Sequence, residues 1–454
     1  MNDTIAAIST AFGEAAIAVL RLSGKRAVEV ADAVFRSKKR AAELAARVAQ
    51  FGSIFDGDTR LDDVLLTVFR APASYTGENV VEISCHGGVL VSRRILELLL
   101  RSGARSAEPG EFTQRAFLNR KLDLTQAEAV MDVISAQTDL ALRAANEQLE
   151  GRLGARVRDL RAAVLDTLAQ VEAYIDFPDE DISPETGAAL RARMEKSLAD
   201  VEALLATAGQ GKVLREGLRT VIFGAPNVGK SSLLNRLLGY ERAIVSQLPG
   251  TTRDVLEETI NVRGIPVRLM DTAGIRDSAD EIEQIGMERT RHALERADLV
   301  LHVVDASADA AAWDAKNRAE AEADSLNRER RAELLVLNKA DLGVHDSWSQ
   351  RDGIAVSALT GDGFEKLLDV IASAALGGAA KRDWSVAINA RHQSCLERAR
   401  DFLHAALGAF DQNLSPEFIA EELRAAMDAI GDIVGRADTE ELLGVIFGQF
   451  CIGK

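Results

Sequence analysis

Short apolar runs separated by turn residues occupy the first part of the chain: Ile17 to Leu22, Asp63 to Phe69 and Val80 to Ser84, with a helix-like stretch from Val91 to Leu100. That mixture predicts a small α/β domain over residues 1–118. From about residue 121 the period lengthens. Leu149, Leu153, Val157, Leu160, Val164, Leu168, Val171 and Ile175 step by four or three, which predicts a helix with one buried face. The polar, glycine-containing stretch 209–217 reads as a linker, and beyond it strands alternate with helices until about Leu376, the pattern of a parallel sheet covered by helices. Residues 376–384 read as the matching exit linker. Helical periodicity then resumes with Leu396, Phe402, Leu403, Leu407 and Phe410, and again after Ser415-Pro416 with Ile419, Leu423, Met427, Ile430 and Val434.

The stretch after the exit linker is short for an independent core, so it is expected to pack on the helices before residue 210. On that reading an α/β unit is inserted between two halves of one helical domain. The expected fold class is multidomain α/β plus α, with a small α/β domain at 1–118, a discontinuous helical domain at 119–214 and 379–454, and an inserted α/β domain with a mostly parallel sheet at 215–378. The length, 454 residues, exceeds what one core supports, and 47% apolar with 27% charged residues is the composition of an ordinary globular chain. Glu14 breaks the first apolar stretch and no basic residue precedes it, so no secretory signal is expected. No apolar run approaches a membrane span. Cys85, Cys395 and Cys451 show no metal-like spacing, and their odd number suits a reducing compartment, so a cytoplasmic protein is expected. A net charge of −16 argues against unaided wrapping of nucleic acid; an RNA partner must meet a local patch or come with a second protein.

The sharpest chemistry lies at Gly224 to Ser231, where Arg219 to Phe223 reads as a strand and GAPNVGKSS leads into a helix-like LLNRLLG. Gly224 and Gly229 permit a turn that points backbone N–H groups at phosphate oxygens, Lys230 supplies a cation, and Ser231 is placed to ligate magnesium. Asn227, Val228, Gly229, Lys230, Ser231 and Ser232 are the expected phosphate contacts. Arg268 to Met270 ends a strand before Asp271, Thr272, Ala273 and Gly274, where an Asp can hold the magnesium shell and a Gly amide can sense the γ-phosphate. Between them Ser246, Gln247, Leu248, Pro249, Gly250, Thr251 and Thr252 fall at a first switch, with Thr252 the candidate second side-chain contact to magnesium.

Base choice is read after the strand Glu333 to Leu337, where Asn338, Lys339, Ala340 and Asp341 follow. The Asp341 carboxylate can accept from guanine N1–H and the 2-amino group, which adenine does not offer. Ser357, Ala358 and Leu359 fit a backbone contact to the guanine oxygen. These spaced motifs point to GTP and its hydrolysis. Ile275 stands where small signalling GTPases carry a water-orienting Gln, which leaves Arg276, Glu281 and Glu283 as candidates for that task.

The chain resembles the bacterial tRNA-modification GTPase family MnmE, also called TrmE, over essentially its whole length. The marks are Asp3-Thr4-Ile5-Ala6, Arg21-Leu22-Ser23-Gly24, Ser74-Tyr75-Thr76-Gly77-Glu78, His86-Gly87-Gly88, Pro109-Gly110-Glu111-Phe112-Thr113 and Arg115-Ala116-Phe117-Leu118-Asn119. Lys121 to Ala129, Asp176 to Glu180 and the run Phe450-Cys451-Ile452-Gly453-Lys454 complete them. The resemblance implies an amino-terminal dimerising domain that binds a tetrahydrofolate of the 5,10-methylene or 5-formyl type, through Arg21, Glu82, Lys121 and Lys454. It implies a homodimer and a heterotetramer with an FAD-containing GidA-type partner, which together add an aminomethyl-type (carboxymethylaminomethyl) group at carbon 5 of the tRNA wobble uridine. It further implies potassium held by Asn227, Ser246, Leu248 and Thr251, and it selects Glu283 as the water-orienting acid beside Lys230 and Thr252. Cys451 invites a nucleophile role, against which stands a small apolar residue docking the tail. Phe12-Gly13-Glu14-Ala15-Ala16 departs from the family's glycine- and arginine-rich stretch before Arg21. A GTP-driven switch without modification activity, such as a ribosome-assembly factor, explains residues 219–376 equally well but gives no work to Arg21, Glu82 or the tail.

Overall fold

The computed structural model describes residues 3–176, 184–240, 258–270, 292–311, 313, 331–375, 387–435, 440–448 and 450–453. They fall into two compact units, one of residues up to 131 with those from 431 onward, the other from 132 to 430.

In the first unit, β1 (Ile5–Ile8), β2 (Ile17–Ser23), β3 (Phe35–Arg36), β4 (Ala49–Asp56), β5 (Thr59–Phe69), β6 (Val80–His86) and β7 (Arg105–Ser106) form a sheet in the order β3-β4-β5-β6-β2-β1-β7. Every pairing is antiparallel except that of β1 with β7. Antiparallel strands with one wet face alternate buried and open positions, and β2, β5 and β6 do so over most of their length. Leu20, Leu22, Ile54, Leu66 and Ile83 turn inward against α1 (Ala27–Val34) and α2 (Val89–Arg101), meeting Val30, Ile95 and Leu99. The intervening Arg21 and Glu82 are half-buried on the outer face, where Phe51 and Leu65 are exposed. α3 (Glu111–Leu118) and α4 (Leu124–Ser135) follow.

The second unit opens with α5 (Asp139–Leu149) and α6 (Arg152–Asp176). The eight-residue stripe expected as one helix is thus divided: Gly151, at φ +86°, ends α5 two residues after Leu149. Within α6 the remaining stripe is buried at Leu153, Val157, Leu160, Val164, Leu168 and Val171, while Ile175, in its last turn, is half-buried. α7 (Pro184–Leu205) and α8 (Ala208–Glu216) come next. The stretch expected as a linker at 209–217 is this last helix. Of its two glycines Gly211 serves packing, because a Cβ there would stand 2.2 Å from the Ile388 carbonyl oxygen, and Arg215 donates to Asp132 and Gln148 at 2.7 and 2.8 Å.

A six-stranded sheet follows, from β8 (Leu218–Phe223), β9 (Glu258–Val262), β10 (Ile265–Met270), β11 (Leu299–Asp305), β12 (Ala332–Asn338) and β13 (Gly353–Ala355), in the order β13-β12-β11-β8-β10-β9. All are parallel except β9 against β10. α9 (Lys230–Tyr240) and α10 (Phe364–Ala375) share a core with it, in which Leu233, Leu237, Phe364 and Leu367 meet Ile222, Val267 and Leu301. α11 (Ala390–Asp411) and α12 (Pro416–Val434) restore the helical layer. The apolar positions expected on α11 are only partly the buried ones: Leu396 and Leu403 are buried together with Ala399, Ala406 and Ala409, while Phe402, Leu407 and Phe410 are half-buried. α11 packs against α7, and Arg191 on α7 donates to Asp411 at the end of α11. The exit linker expected at 376–384 lies outside the described residues.

The chain returns to the first unit with α13 (Glu440–Phe447), where Leu443, Phe447 and Phe450 pack on Phe117, Leu124 and Ala127. No helix among the described residues is long and apolar enough to cross a membrane.

Candidate functional site

In a doubly wound sheet, ligands settle outside the carboxyl ends of the strands where the winding reverses. Here that point is β8, flanked by β10 and β11, and the glycine loop begins directly after it. The loop leaves no room for side chains at its two glycines. A Cβ on Gly224 would stand 2.2 Å from the Val303 carbonyl oxygen, and one on Gly229, at φ +95°, 2.2 Å from Asn338 Nδ2. Asn227 stands exposed between them at φ +62°, a left-handed conformation that Asn tolerates. Lys230 opens α9 and its Nζ folds back to the Ala225 carbonyl at 2.8 Å, across the mouth of the loop. Val228 is buried, while Ser231 and Ser232 are exposed in the first turn, where helical N–H groups and the helix dipole favour an anion.

Asn338, 2% exposed at the end of β12, joins this loop to the base loops. Its Nδ2 donates to the Val228 carbonyl at 2.8 Å, and its Oδ1 accepts from Ala358 N–H at 3.0 Å. Losing one of these partners would leave a buried amide group unsatisfied, at a cost of about 1–3 kcal/mol. Ala358 N–H is therefore already engaged, which changes the expected part of Ser357, Ala358 and Leu359: Ser357 is buried, and Leu359, 79% exposed, is the open member of the turn. Lys339 sits at φ +62° and Ala340 N–H donates to the Val356 carbonyl, which leaves Asp341 exposed beside them.

Asp305, absent from the sequence reading, completes the group. It ends β11 in register with Asn338, and it accepts from Lys339 Nζ at 2.7 Å. Burial pushes the Asp305 carboxyl upward, but the Lys339 ammonium and the Ser307 hydroxyl and N–H outweigh it and hold the group below its ordinary value. A carboxylate closing the apolar strand LVLHVVD, at the sheet edge where ligands settle, was the available signal. Ser246, Gln247, Leu248, Pro249, Gly250, Thr251, Thr252, Asp271, Thr272, Ala273, Gly274, Ile275, Arg276, Glu281 and Glu283 lie outside the described residues.

The second candidate site lies on the outer face of the first sheet. β2 and β6 pair with Arg21 opposite Glu82, and Arg21 Nε and Nη2 donate to Glu82 Oε1 at 3.0 and 2.8 Å. The guanidinium carbon lies 5.5 Å from the Tyr75 ring centre and 5.7 Å from that of Phe112. The two residues expected as separate ligand contacts thus pair with each other. Among the described residues, Arg21 Nη1 and Glu82 Oε2 keep no hydrogen-bond partner. Lys121, exposed, donates to the Pro72 carbonyl at 3.3 Å. Lys454 is outside the described residues, but the tail before it is held: Ile452 bridges Pro109, and the Gly453 carbonyl accepts from Ser9 Oγ at 3.1 Å. Ser9 is two residues along the chain from Ala7, the β1 partner of Arg21. Cys451 is exposed and its carbonyl accepts from Gly110 N–H. The departing stretch Phe12 to Ala16 lies against Gly87, with Ala15 N–H donating to the Gly87 carbonyl at 3.0 Å. On α3, Arg115, 1% exposed, donates to Glu111, Glu78 and Asp3, a buried charge matched by acids.

A glycine loop between β8 and α9, with two further loops gathered at the same sheet edge by one buried Asn, defines a P-loop GTPase. The model of the MnmE helical domain matches residues 124–451, and that of the GTP-binding protein TrmE N-terminus matches residues 4–121. A tRNA modification GTPase MnmE of Akkermansia muciniphila is 50% identical over 99% of this chain and 99% of its own length, and one of Geobacillus kaustophilus is 45% identical over 100% and 99%. The chain also aligns with the G domain of the T. maritima FeoB iron transporter, at a TM-score of 0.25 and 24% identity over 34% of this chain and 97% of that one, a likeness too slight to add to the assignment. The chain belongs to the tRNA modification GTPase MnmE family, and it is a GTP hydrolase.

Proposed function

We propose that GTP hydrolysis in this chain serves the modification of tRNA: with a flavin-containing GidA-type partner, in the cytoplasm, it installs an aminomethyl-type group at carbon 5 of the wobble uridine. One observation carries the nucleotide part, namely Asn338 bonded at once to the phosphate loop and to the base loop, so that phosphate and base are gripped as a unit. GTP lies along Asn227 to Ser232, with its base at Asn338 to Asp341 and Ser357 to Leu359. Ser231 and Thr252 hold Mg2+, and Asn227, Ser246, Leu248 and Thr251 hold K+. These cations, when bound, offset charge on the phosphate oxygens. The glycine cradle and the exposed Asn227 and Ser231 beside it support that fit. Glu283 orients the attacking water, Lys230 steadies the phosphates, and residues 215–378 act as the G domain inserted between helical segments 119–214 and 379–454.

Residues 1–118 are proposed to bind a reduced folate through Arg21, Glu82 and Lys121, with Lys454 from the tail. The open Oε2 of Glu82 matches the amidine-like donor edge of a pterin, and Arg21 Nη1 with Lys121 suits its anionic tail. The folate, when bound, supplies the one-carbon unit. Exposed Phe51 and Leu65, register partners on the outer face, support homodimerisation of this domain.

Mass spectrometry of tRNA nucleosides from cells depleted of the protein tests the reading. The expected result is loss of a carbon-5 modified wobble uridine, restored by the intact chain. An unchanged profile would overturn it in favour of a GTP-driven switch without modification activity.

A further inference from the structure

α9 begins at the phosphate loop, and Arg236 on it reaches the turn that closes the base site. Its guanidinium donates to the Leu359 carbonyl at 3.1 Å and the Thr360 carbonyl at 2.8 Å, and its carbon lies 5.7 Å from the centre of the Phe364 ring. Gly361 makes room for it. A Cβ at that position would stand 1.9 Å from Arg236 Nη2, and its φ of +96° is one that glycine adopts without strain. A surface arginine on an amphipathic helix ordinarily trails its head in water. Here two carbonyls, a ring and a missing side chain converge on one head group.

The turn itself is closed by its own bonds. Ser357 N–H donates to the Asp362 carbonyl, Thr360 N–H to Ser357 Oγ, Gly361 N–H to the Ser357 carbonyl and Asp362 N–H to Thr360 Oγ1. Ala358 N–H donates to Asn338 Oδ1. Among the described residues, Leu359 N–H is left as the amide of 357–362 without an acceptor, next to the carbonyl that Arg236 grips. A donor so restrained has little freedom to lose when it meets an acceptor, which is how a fixed loop gains selectivity.

We infer that Arg236 is a positioning residue for base recognition: by clamping the Leu359 and Thr360 carbonyls it holds Leu359 N–H toward the 6-oxygen of guanine. The inference rests on the nucleotide-site reading above. It divides the labour of recognition, with Asp341 reading N1–H and the 2-amino group while Arg236 acts through the turn on the 6-oxygen. Lysine cannot replace it fully, since an ammonium lacks the planar fork that spans two carbonyls.

The test is equilibrium binding of GTP, 6-thio-GTP and ITP to the full-length protein and to its Arg236→Gln and Arg236→Lys variants. Sulfur at position 6 replaces the oxygen with a larger, weaker acceptor, and inosine removes the 2-amino group. Arg236→Gln is expected to narrow the preference for GTP over 6-thio-GTP by roughly 3- to 10-fold while leaving the preference for GTP over ITP unchanged. Arg236→Lys should fall between, and kcat at saturating GTP should stay within about twofold, because no phosphate contact is touched. Equal weakening of all three nucleotides, or none, would overturn the inference. Should Arg236→Gln not fold, Arg236→Lys decides by the same criterion. Asp341→Asn separates the two readings: if it leaves the preference for GTP over xanthosine triphosphate unchanged, the nucleotide-site reading itself fails. If it shifts that preference while the Arg236 variants change nothing, only the Arg236 inference falls.

Discussion

At the carboxyl edge of the parallel sheet the candidate residues follow strand ends within short continuous motifs, and much of what they offer a ligand is backbone N–H. On the outer face of the first sheet, Arg21 and Glu82 stand in mid-strand, 61 residues apart, and are neighbours only through the register of β2 with β6. The first site is made by loop geometry and tolerates almost no added atoms, as the 2.2 Å approaches at Gly224 and Gly229 show. The second is made by two side chains on a half-wet face, and a one-residue slip of either strand would turn its member into the core. Backbone sites are broken by steric change; side-chain sites are broken by removing a charge.

The largest effect expected from this contrast is that of Gly229→Ala. The added carbon meets Asn338 Nδ2 and displaces the bond to Val228 in a left-handed backbone. Strain and a lost buried hydrogen bond together cost about 3 kcal/mol. A loop that leaves its phosphate-binding shape to relieve that cost must regain it on binding, so GTP affinity should fall by up to roughly 100-fold. Titration calorimetry with GTP and with a reduced folate checks it; parallel loss of folate binding would show that the two sites are not independent. Next in size is the salt exchange. Replacing KCl by NaCl at equal ionic strength should slow GTP hydrolysis about tenfold or more, as expected when a preorganised charge near the phosphates is lost. Equal rates would remove potassium from the site. The smallest effect is that of Arg21→Ala, expected to weaken reduced-folate binding by about tenfold while costing less than about 1 kcal/mol of stability, since the pair is partly exposed. Calorimetry and thermal unfolding measure both. Unchanged folate binding would take Arg21 out of the pocket.

The strands expected at Ile17 to Leu22, Asp63 to Phe69 and Val80 to Ser84 lie within β2, β5 and β6, because alternation needs only the strand's own residues to be read. The expected linker at 209–217 falls on α8, and the carbonyl that Gly211 accommodates there belongs to Ile388, far along the chain. On α11 the alanines Ala399 and Ala406 are buried beside Leu396 and Leu403, which a count of large apolar residues does not show.

By itself the sequence determined the strand, glycine loop and helix from Leu218 to Tyr240 and the loops after β12 and β13, since their donors and turns come from consecutive residues whose conformations are locally dictated. Tertiary structure alone decided that Arg21 meets Glu82, that Lys339 meets Asp305 across 34 residues, and that Arg236 meets Leu359 across 123. Such pairs have no local cause. They exist only once strand register and helix packing have brought distant side chains within hydrogen-bond reach and made the entropy of doing so a cost already met by the core.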